Sequence, residues 1–295
     1  VGLKKFYSNR AKFIFLLPGF VLFSLFVIYS IIPCFMMSLQ NHNGVASMGW
    51  VGLSNYKTAL TSNVFWDSHI RTYGVLLMEL LIGIPLSLLL ALMLDRTNKV
   101  VRNIYKFAAL FPAILSVAVI GKMFMGVFNT EWGIVNTILR AVGLDSLVTS
   151  WLSNPQTAMI CIGVAYVWQY IGYNSILFYT GIRSIPPEIY EAATLDGANF
   201  LQISRRITIP LLQDILKYVL TGATTGTLGM YGLVAFMTSG GPGSSSRTVL
   251  YEMYYQAFAS SRFGYGCAIA LLFLIQCVIW AFLINRFVAR EQIKY

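Results

Sequence analysis

Few side chains in this sequence are equipped for chemistry, and their spacing narrows the kinds. The two histidines, His42 and His69, share one early segment with no cysteine or carboxylate cluster at ligand spacing, so neither a zinc site nor a Ser-His-Asp nucleophile is supported. Gly121-Lys122 runs into Met123 and lacks an upstream glycine, so it is not a phosphate-cradling loop. Cys34, Cys161, Cys267 and Cys277 all sit in apolar runs, without disulfide or metal spacing, and read as small apolar residues. What remains is polar groups set inside apolar sequence. In "YVWQYIGYN", Tyr166, Gln169, Tyr170 and Tyr173 recur at helical spacing with Asn174 adjacent. In "TGATTGTLGMYG", Thr221, Thr224, Thr225 and Thr227 precede Met230 and Tyr231.

Aromatic faces beside neutral hydrogen-bonding groups suit a solute that combines apolar C–H faces with hydroxyls. No arginine or lysine enters these stretches, which favours a neutral solute over an anion. The candidate substrate contacts are therefore Tyr166, Gln169, Tyr170, Tyr173, Asn174, Thr224, Thr227 and Met230. The same pattern has a plainer use: glycine and threonine let membrane helices approach, threonine hydroxyls bond back to their own helix, and tyrosine marks interfaces. Glu79, an acid within an apolar run, is a functional suspect by position. A proton relay needs several ionisable groups and the neighbouring runs offer none, so hydrogen bonding within a bundle is the favoured role. Lys122 reads as a side chain that snorkels to an interface.

The elements that must position these groups are membrane helices. The 295 residues are 57% hydrophobic and 11% charged, which is not the make-up of a soluble surface. About 20 apolar residues cross the ~30 Å hydrocarbon layer. Six runs have that length: Phe13–Leu39, Thr72–Leu94, Phe107–Phe128, Thr157–Ile182, Ile215–Thr238 and Gly264–Phe287. With both termini inside, fifteen of the 21 basic residues, among them Lys4, Lys5, Arg10, Lys12, Arg290 and Lys294, fall on the cytoplasmic side. The net charge of +10 is thus a topology signal and no sign of a nucleic-acid partner. The expected fold is all-α and polytopic, with cytoplasmic tails at 1–12 and 289–295 around a transmembrane domain at 13–288. The first run, too long for a signal-peptide core, reads as a retained helix.

Between the fourth and fifth runs lies a polar insert, 183–213. Pro186 and Pro187 suit a first helical turn, with Ser184 as cap, and Asp196-Gly197 suits the left-handed turn that stops a helix. Phe200 to Ile207 reads as a second short helix, closed ahead of Pro210. Between the third and fourth runs, Ile134, Ile138 and Leu139 mark a short amphipathic helix at the outer interface. The segment from Asn41 to Ile70 reads as a loop with turn chemistry.

The stretch "EAATLDGANFLQISRRITIP" resembles the signature cytoplasmic loop of permease subunits of binding-protein-dependent ABC importers. Glu191, Ala192, Ala193, Gly197, Ile207 and Pro210 stand at the intervals of that motif, with Ile209 where leucine is usual. "GIRSIPPEIY", Asp196 to Ala198 and "TSGGPG" are similar to the oligosaccharide and polyol (maltose-type) branch. The resemblance implies a type I importer permease fold in the bacterial inner membrane. It implies an ATPase-coupling role for Glu191, Ala192, Ala193, Asp196, Gly197, Ile207 and Pro210. It also implies partners: a second permease in a heterodimer, two ABC ATPase subunits carrying ATP and Mg, and an extracytoplasmic binding protein that delivers a sugar. Two rivals remain at this point. One is a secondary transporter driven by an ion gradient through Glu79; the other is a membrane scaffold without a conduit.

Overall fold

The computed structural model describes residues 9–288, with side chains from 13 to 286. Lys4, Lys5, Arg290 and Lys294, the tail 289–295 and most of the tail 1–12 lie outside the described residues, as do the side chains of Arg10 and Lys12. The chain divides into two units, one comprising Val1–Ser62 with Met253–Phe273, the other Asn63–Glu252 with Leu274–Tyr295.

In the first unit, α1 (9–38) is predominantly apolar from Phe13 onward and is interrupted by a π turn at Ser24–Ile28. No residue of its apolar window is buried, as suits a helix facing hydrocarbon, whose backbone groups bond within the helix. An antiparallel hairpin follows, β1 (Gln40–His42) and β2 (Ser47–Trp50), then α2 (Ser54–Thr61). Asn43 Oδ1 accepts the Val45 and Ala46 N–H groups and so builds the hairpin turn. The segment read as a loop is therefore more ordered than turn residues alone imply.

In the second unit, α3 (Asn63–Asp95) begins well before Thr72 and carries a π turn at Glu79–Gly83. The third apolar run is two helices, not one: α4 (Lys99–Ile114) and α5 (Val117–Val127) meet at 98°. Pro112 removes a donor near the end of α4, Leu115 is extended, and Ser116 restarts the chain by accepting the Ala118 N–H. Next come α6 (Ile134–Ala141) and the long α7 (Ala158–Ser184), whose 27 residues span about 40 Å. The insert forms α8 (Pro187–Leu195) and α9 (200–211). The fifth run is also broken, into α10 (Gln213–Leu228) and α11 (Gly232–Met237). The gap at 229–231 is held open by Thr248, whose Oγ1 donates to the freed Met230 carbonyl at 2.6 Å. The last described helices are α12 (249–259) and α13 (Phe263–Val288), each divided between the two units.

By length and composition α1, α3 and α13 can each cross a bilayer, and the bent pair α4–α5 makes a fourth candidate. Helix α7 has the length, but its tyrosines, Gln169 and Asn174 dilute its apolar character. It is the hub of the second unit. Gly172 lets the Ala109 backbone of α4 lie directly on α7, where any side chain would collide with it. Ser87 of α3 donates to the Ile171 carbonyl at 2.9 Å, and the Tyr105 and Ser175 hydroxyls meet at 2.7 Å. Toward the insert, Ile84, Ala91, Leu94, Phe178, Ile182 and Leu212 form the apolar core.

Candidate functional site

Two constructions stand out, an elbow on the insert and a cavity beside α7. In the elbow, α8 starts at Pro187 after Pro186 and has no side-chain cap. Ser184, expected there, is still inside the last turn of α7 and donates to the Gly181 carbonyl at 2.7 Å. The far end of α8 is closed by a paired backbone motif. Ala198 N–H donates to the Ala193 carbonyl and Gly197 N–H to the Thr194 carbonyl, each at 3.0 Å, with Gly197 at φ +76. Asn199 then opens α9 with a reciprocal capping box: its Oδ1 accepts the Gln202 N–H at 2.9 Å, and its own N–H donates to Gln202 Oε1 at 2.8 Å.

Helix α9 does not stop ahead of Pro210, as the sequence suggested. A π turn at Ser204–Thr208 shifts the bonding by one residue and the helix runs through proline to Leu211. Pro210 thereby falls near the start of a fresh helical segment, where its missing donor is not needed. On the elbow, Glu191, Ala192, Asp196 and Gly197 are exposed, Ala193 is buried, and Ile207 and Pro210 are half-buried. Leu195 and Leu201 are bare, at 89% and 72% exposure, in a segment otherwise rich in polar groups. The inner side is anchored: Ile189 and Tyr190 pack on the apolar core, the Arg96 guanidinium lies 3.8 Å over the Phe200 ring, and Arg183 pairs with Asp95 at 3.6 Å.

The cavity, 230 Å³, lies between α7 and α10. Helix α7 contributes Tyr166, Tyr170, Tyr173, Asn174 and Leu177; α10 contributes Tyr218, Val219, Gly222, Ala223 and Gly226; α3 contributes Glu79. The rings of Tyr166 and Tyr170 are 4.9 Å apart. A Cβ on Gly226 would sit 2.7 Å from the Tyr166 hydroxyl oxygen, whereas one on Gly222 would meet nothing within 4 Å. The structure thus gathers four of the expected contacts, Tyr166, Tyr170, Tyr173 and Asn174. It buries Gln169, Thr224, Thr227 and Met230 away from the cavity. Thr221 and Thr225 bond back to their own helix, at 2.8 Å each. Tyr218, Gly222 and Gly226 were missed, although their i, i+4, i+8 spacing marks one face of α10. Glu79 is buried and accepts the Asn174 amide at 3.1 Å, in keeping with a hydrogen-bonded place in the bundle.

A second cavity of 560 Å³ lies at the ends of α5 and α11, beside the bend from Thr238 to Pro242, with Lys122 on its wall. Helix α6 points Ile134 and Ile138 outward and Asn136 inward, where Asn136 ties together the Thr130 and Thr149 carbonyls and the Trp151 indole. Among the described residues no three His, Cys, Asp or Glu side chains gather as a metal cluster.

The walls of the cavity run into a glycine-hinged elbow. The chain belongs to the family described as the binding-protein-dependent transport system inner membrane component, which matches residues 83–293. It is therefore an inner-membrane transport permease and not an enzyme by family. The arabinooligosaccharides transport system permease of Bacillus subtilis is 34% identical over 92% of this chain and 86% of that protein. The lactose transport system permease of Rhizobium radiobacter is 27% identical over 99% and 97%. In fold, the chain is similar to a bacterial alginate ABC transporter solved with its alginate pentasaccharide-bound periplasmic protein. There the TM-score is 0.82 at 21% identity, over 97% of this chain and 96% of that one.

Proposed function

We propose that this chain forms half of the translocation path of an ABC importer, carrying a neutral sugar or oligosaccharide delivered by an extracytoplasmic binding protein. One observation carries the reading: the elbow is the direct covalent link between the two helices that wall the cavity. Helix α7 ends at Ser184, α10 begins at Gln213, and everything between them is elbow. A force on the elbow is therefore a force on both walls. The exposed Glu191, Ala192, Asp196 and Gly197, with Leu195 and Leu201, form the surface offered to a separate ATPase subunit. In this reading ATP and Mg reside in two such subunits, and a second permease completes the path. The transport systems named for arabinooligosaccharides and lactose support a saccharide, as do the tyrosine-rich walls of the cavity.

The test is the intact assembly in proteoliposomes, with ATP hydrolysis measured as binding protein loaded with neutral oligosaccharides is added. Stimulation by loaded binding protein is expected. Hydrolysis indifferent to every saccharide, or uptake that follows an ion gradient without ATP, overturns the reading.

A further inference from the structure

The 560 Å³ cavity at the ends of α5 and α11 has a make-up that the proposed transport path does not use. Lys122 is the one charged residue among the described residues that line it, and Asn129, Thr130, Ser153, Thr238 and Ser239 add neutral hydrogen-bonding groups. Asn129 Oδ1 already accepts the Glu131 and Trp132 N–H groups, at 2.9 and 3.2 Å, so its NH2 is the end left to donate. A cation among neutral donors, with no carboxylate on the same wall, is a setting for a phosphate.

The helix that carries Lys122 extends the pattern below the cavity. Val119, Lys122, Met123 and Gly126 stand at i, i+3, i+4 and i+7 and share one face of α5. Val119 and Met123 are exposed, and a Cβ on Gly126 would lie 3.4 Å from the Trp132 ring. Trp132 is exposed too, as are Ile134 and Ile138 of the neighbouring α6, the pattern of a tryptophan and a short amphipathic helix lying in the membrane interface. With the orientation given by the basic residues, α5 runs outward. Its face is therefore apolar at depth, cationic above that, and bordered by an interfacial tryptophan at the top. A phospholipid presents its tails, phosphate and polar head in the same order.

We propose that this cavity holds the headgroup of an anionic phospholipid of the outer leaflet, with the Lys122 ammonium on its phosphate and its acyl chains along Val119 and Met123. A zwitterionic head fits less well, because no acid on the wall meets its own ammonium group. A soluble sugar has no use for the apolar stripe that leads down from the cavity. The site gives Lys122 and α6 a common role, and its failure leaves the sugar reading of the cavity between α7 and α10 untouched.

The test is tryptophan quenching in nanodiscs that hold the intact assembly, with acyl chains brominated in either phosphatidylglycerol or phosphatidylcholine. The signal lost in Trp132→Phe is that of Trp132. Its quenching is expected to reach half-maximum at about fivefold less brominated phosphatidylglycerol than phosphatidylcholine. Lys122→Gln is expected to bring the two curves together. Wild-type curves that coincide overturn the proposal, and this comparison decides it even if Lys122→Gln fails to assemble. Quenching by neither lipid means that protein covers the face and overturns it, as does a preference that survives in Lys122→Gln. Glycerol phosphate or maltotriose that relieves the quenching assigns the cavity to a soluble ligand and also overturns it.

Discussion

The elbow joins the two helices that wall the cavity, but the two regions are built on opposite terms. In the elbow each backbone group at the helix junction is satisfied within a few residues: Ala193 by Ala198, Thr194 by Gly197, Asn199 by Gln202. Around the cavity, neighbours come from distant parts of the chain, Glu79 against Asn174 and Tyr166 against Gly226. On the proposed reading the elbow transmits force and must hold its angle whatever it touches, and short-range closure gives it that. A part that binds and releases a solute must leave polar capacity open. The difference teaches that a stiff region and an open one can be neighbours in the chain, provided that each is built on its own helices.

The largest expected effect breaks the elbow and spares the cavity. At Gly197 a side chain would meet nothing within 4 Å, so substitution acts through the φ of +76 alone. A residue with a Cβ pays roughly 1–2 kcal/mol there, and a β-branched one is a genuine outlier. Gly197→Val is expected to abolish coupled uptake while sugar binding to the assembly persists; Gly197→Asn, which tolerates the left-handed region, restores most of the uptake. Equal loss in both variants, read by transport per ATP hydrolysed, would show that the angle is not what matters.

The converse variant breaks the cavity and spares the elbow. Gly222→Leu places its side chain in the open volume without a collision at the Cβ, so the ATPase subunits should still co-purify while solute binding falls by about tenfold or more. Co-purification lost together with binding would mean that the two regions are not separable. A milder change trims the wall: Tyr170→Phe removes one hydroxyl and keeps the ring that leans on Tyr166. Loss of a single neutral hydrogen bond is expected to weaken binding by about threefold to tenfold, measured by equilibrium dialysis.

The same contrast explains what was legible in the sequence. The elbow was readable because its determinants are local: Pro187 starts α8, Gly197 ends it, and the spacing between them fixes the length. Its errors were local too, Ser184 being still inside α7 and Pro210 being carried by a π turn that no residue type announces. The breaks at 115–116 and 229–231 were hidden because each run stays largely apolar across its break, and hydropathy counts residues without seeing direction. On α7 the lining could be read from Tyr166, Tyr170, Tyr173 and Asn174, since tyrosine announces itself. On α10 it was missed: Tyr218 stands beside Lys217 at the polar end of the run, and Gly222 and Gly226 contribute by lacking a side chain, so only their shared i, i+4, i+8 spacing marked the face. The threonines that drew attention instead turn into their own helix or into buried contacts.

The smallest effect sharpens the claim that the elbow is locally closed. Asn199 caps α9 through its Oδ1, which accepts the Gln202 N–H, and donates its own N–H to Gln202 Oε1, an arrangement that needs no contact outside these residues. If the closure is local, its loss should be felt locally. Asn199→Ala is expected to remove about 1 kcal/mol from the opening of α9, which corresponds to roughly fivefold faster hydrogen exchange at the Leu201, Gln202 and Ile203 amides. Asn199→Ser keeps an acceptor at the cap and should exchange at nearly the original rate. The amides of α7 around Ser175 should not respond, because their ties run to Tyr105 and Gly172 and not to the elbow. Faster exchange at Ser175 in Asn199→Ala would show that the elbow's stability is shared with the cavity wall, and the division of labour between the two regions would have to be abandoned.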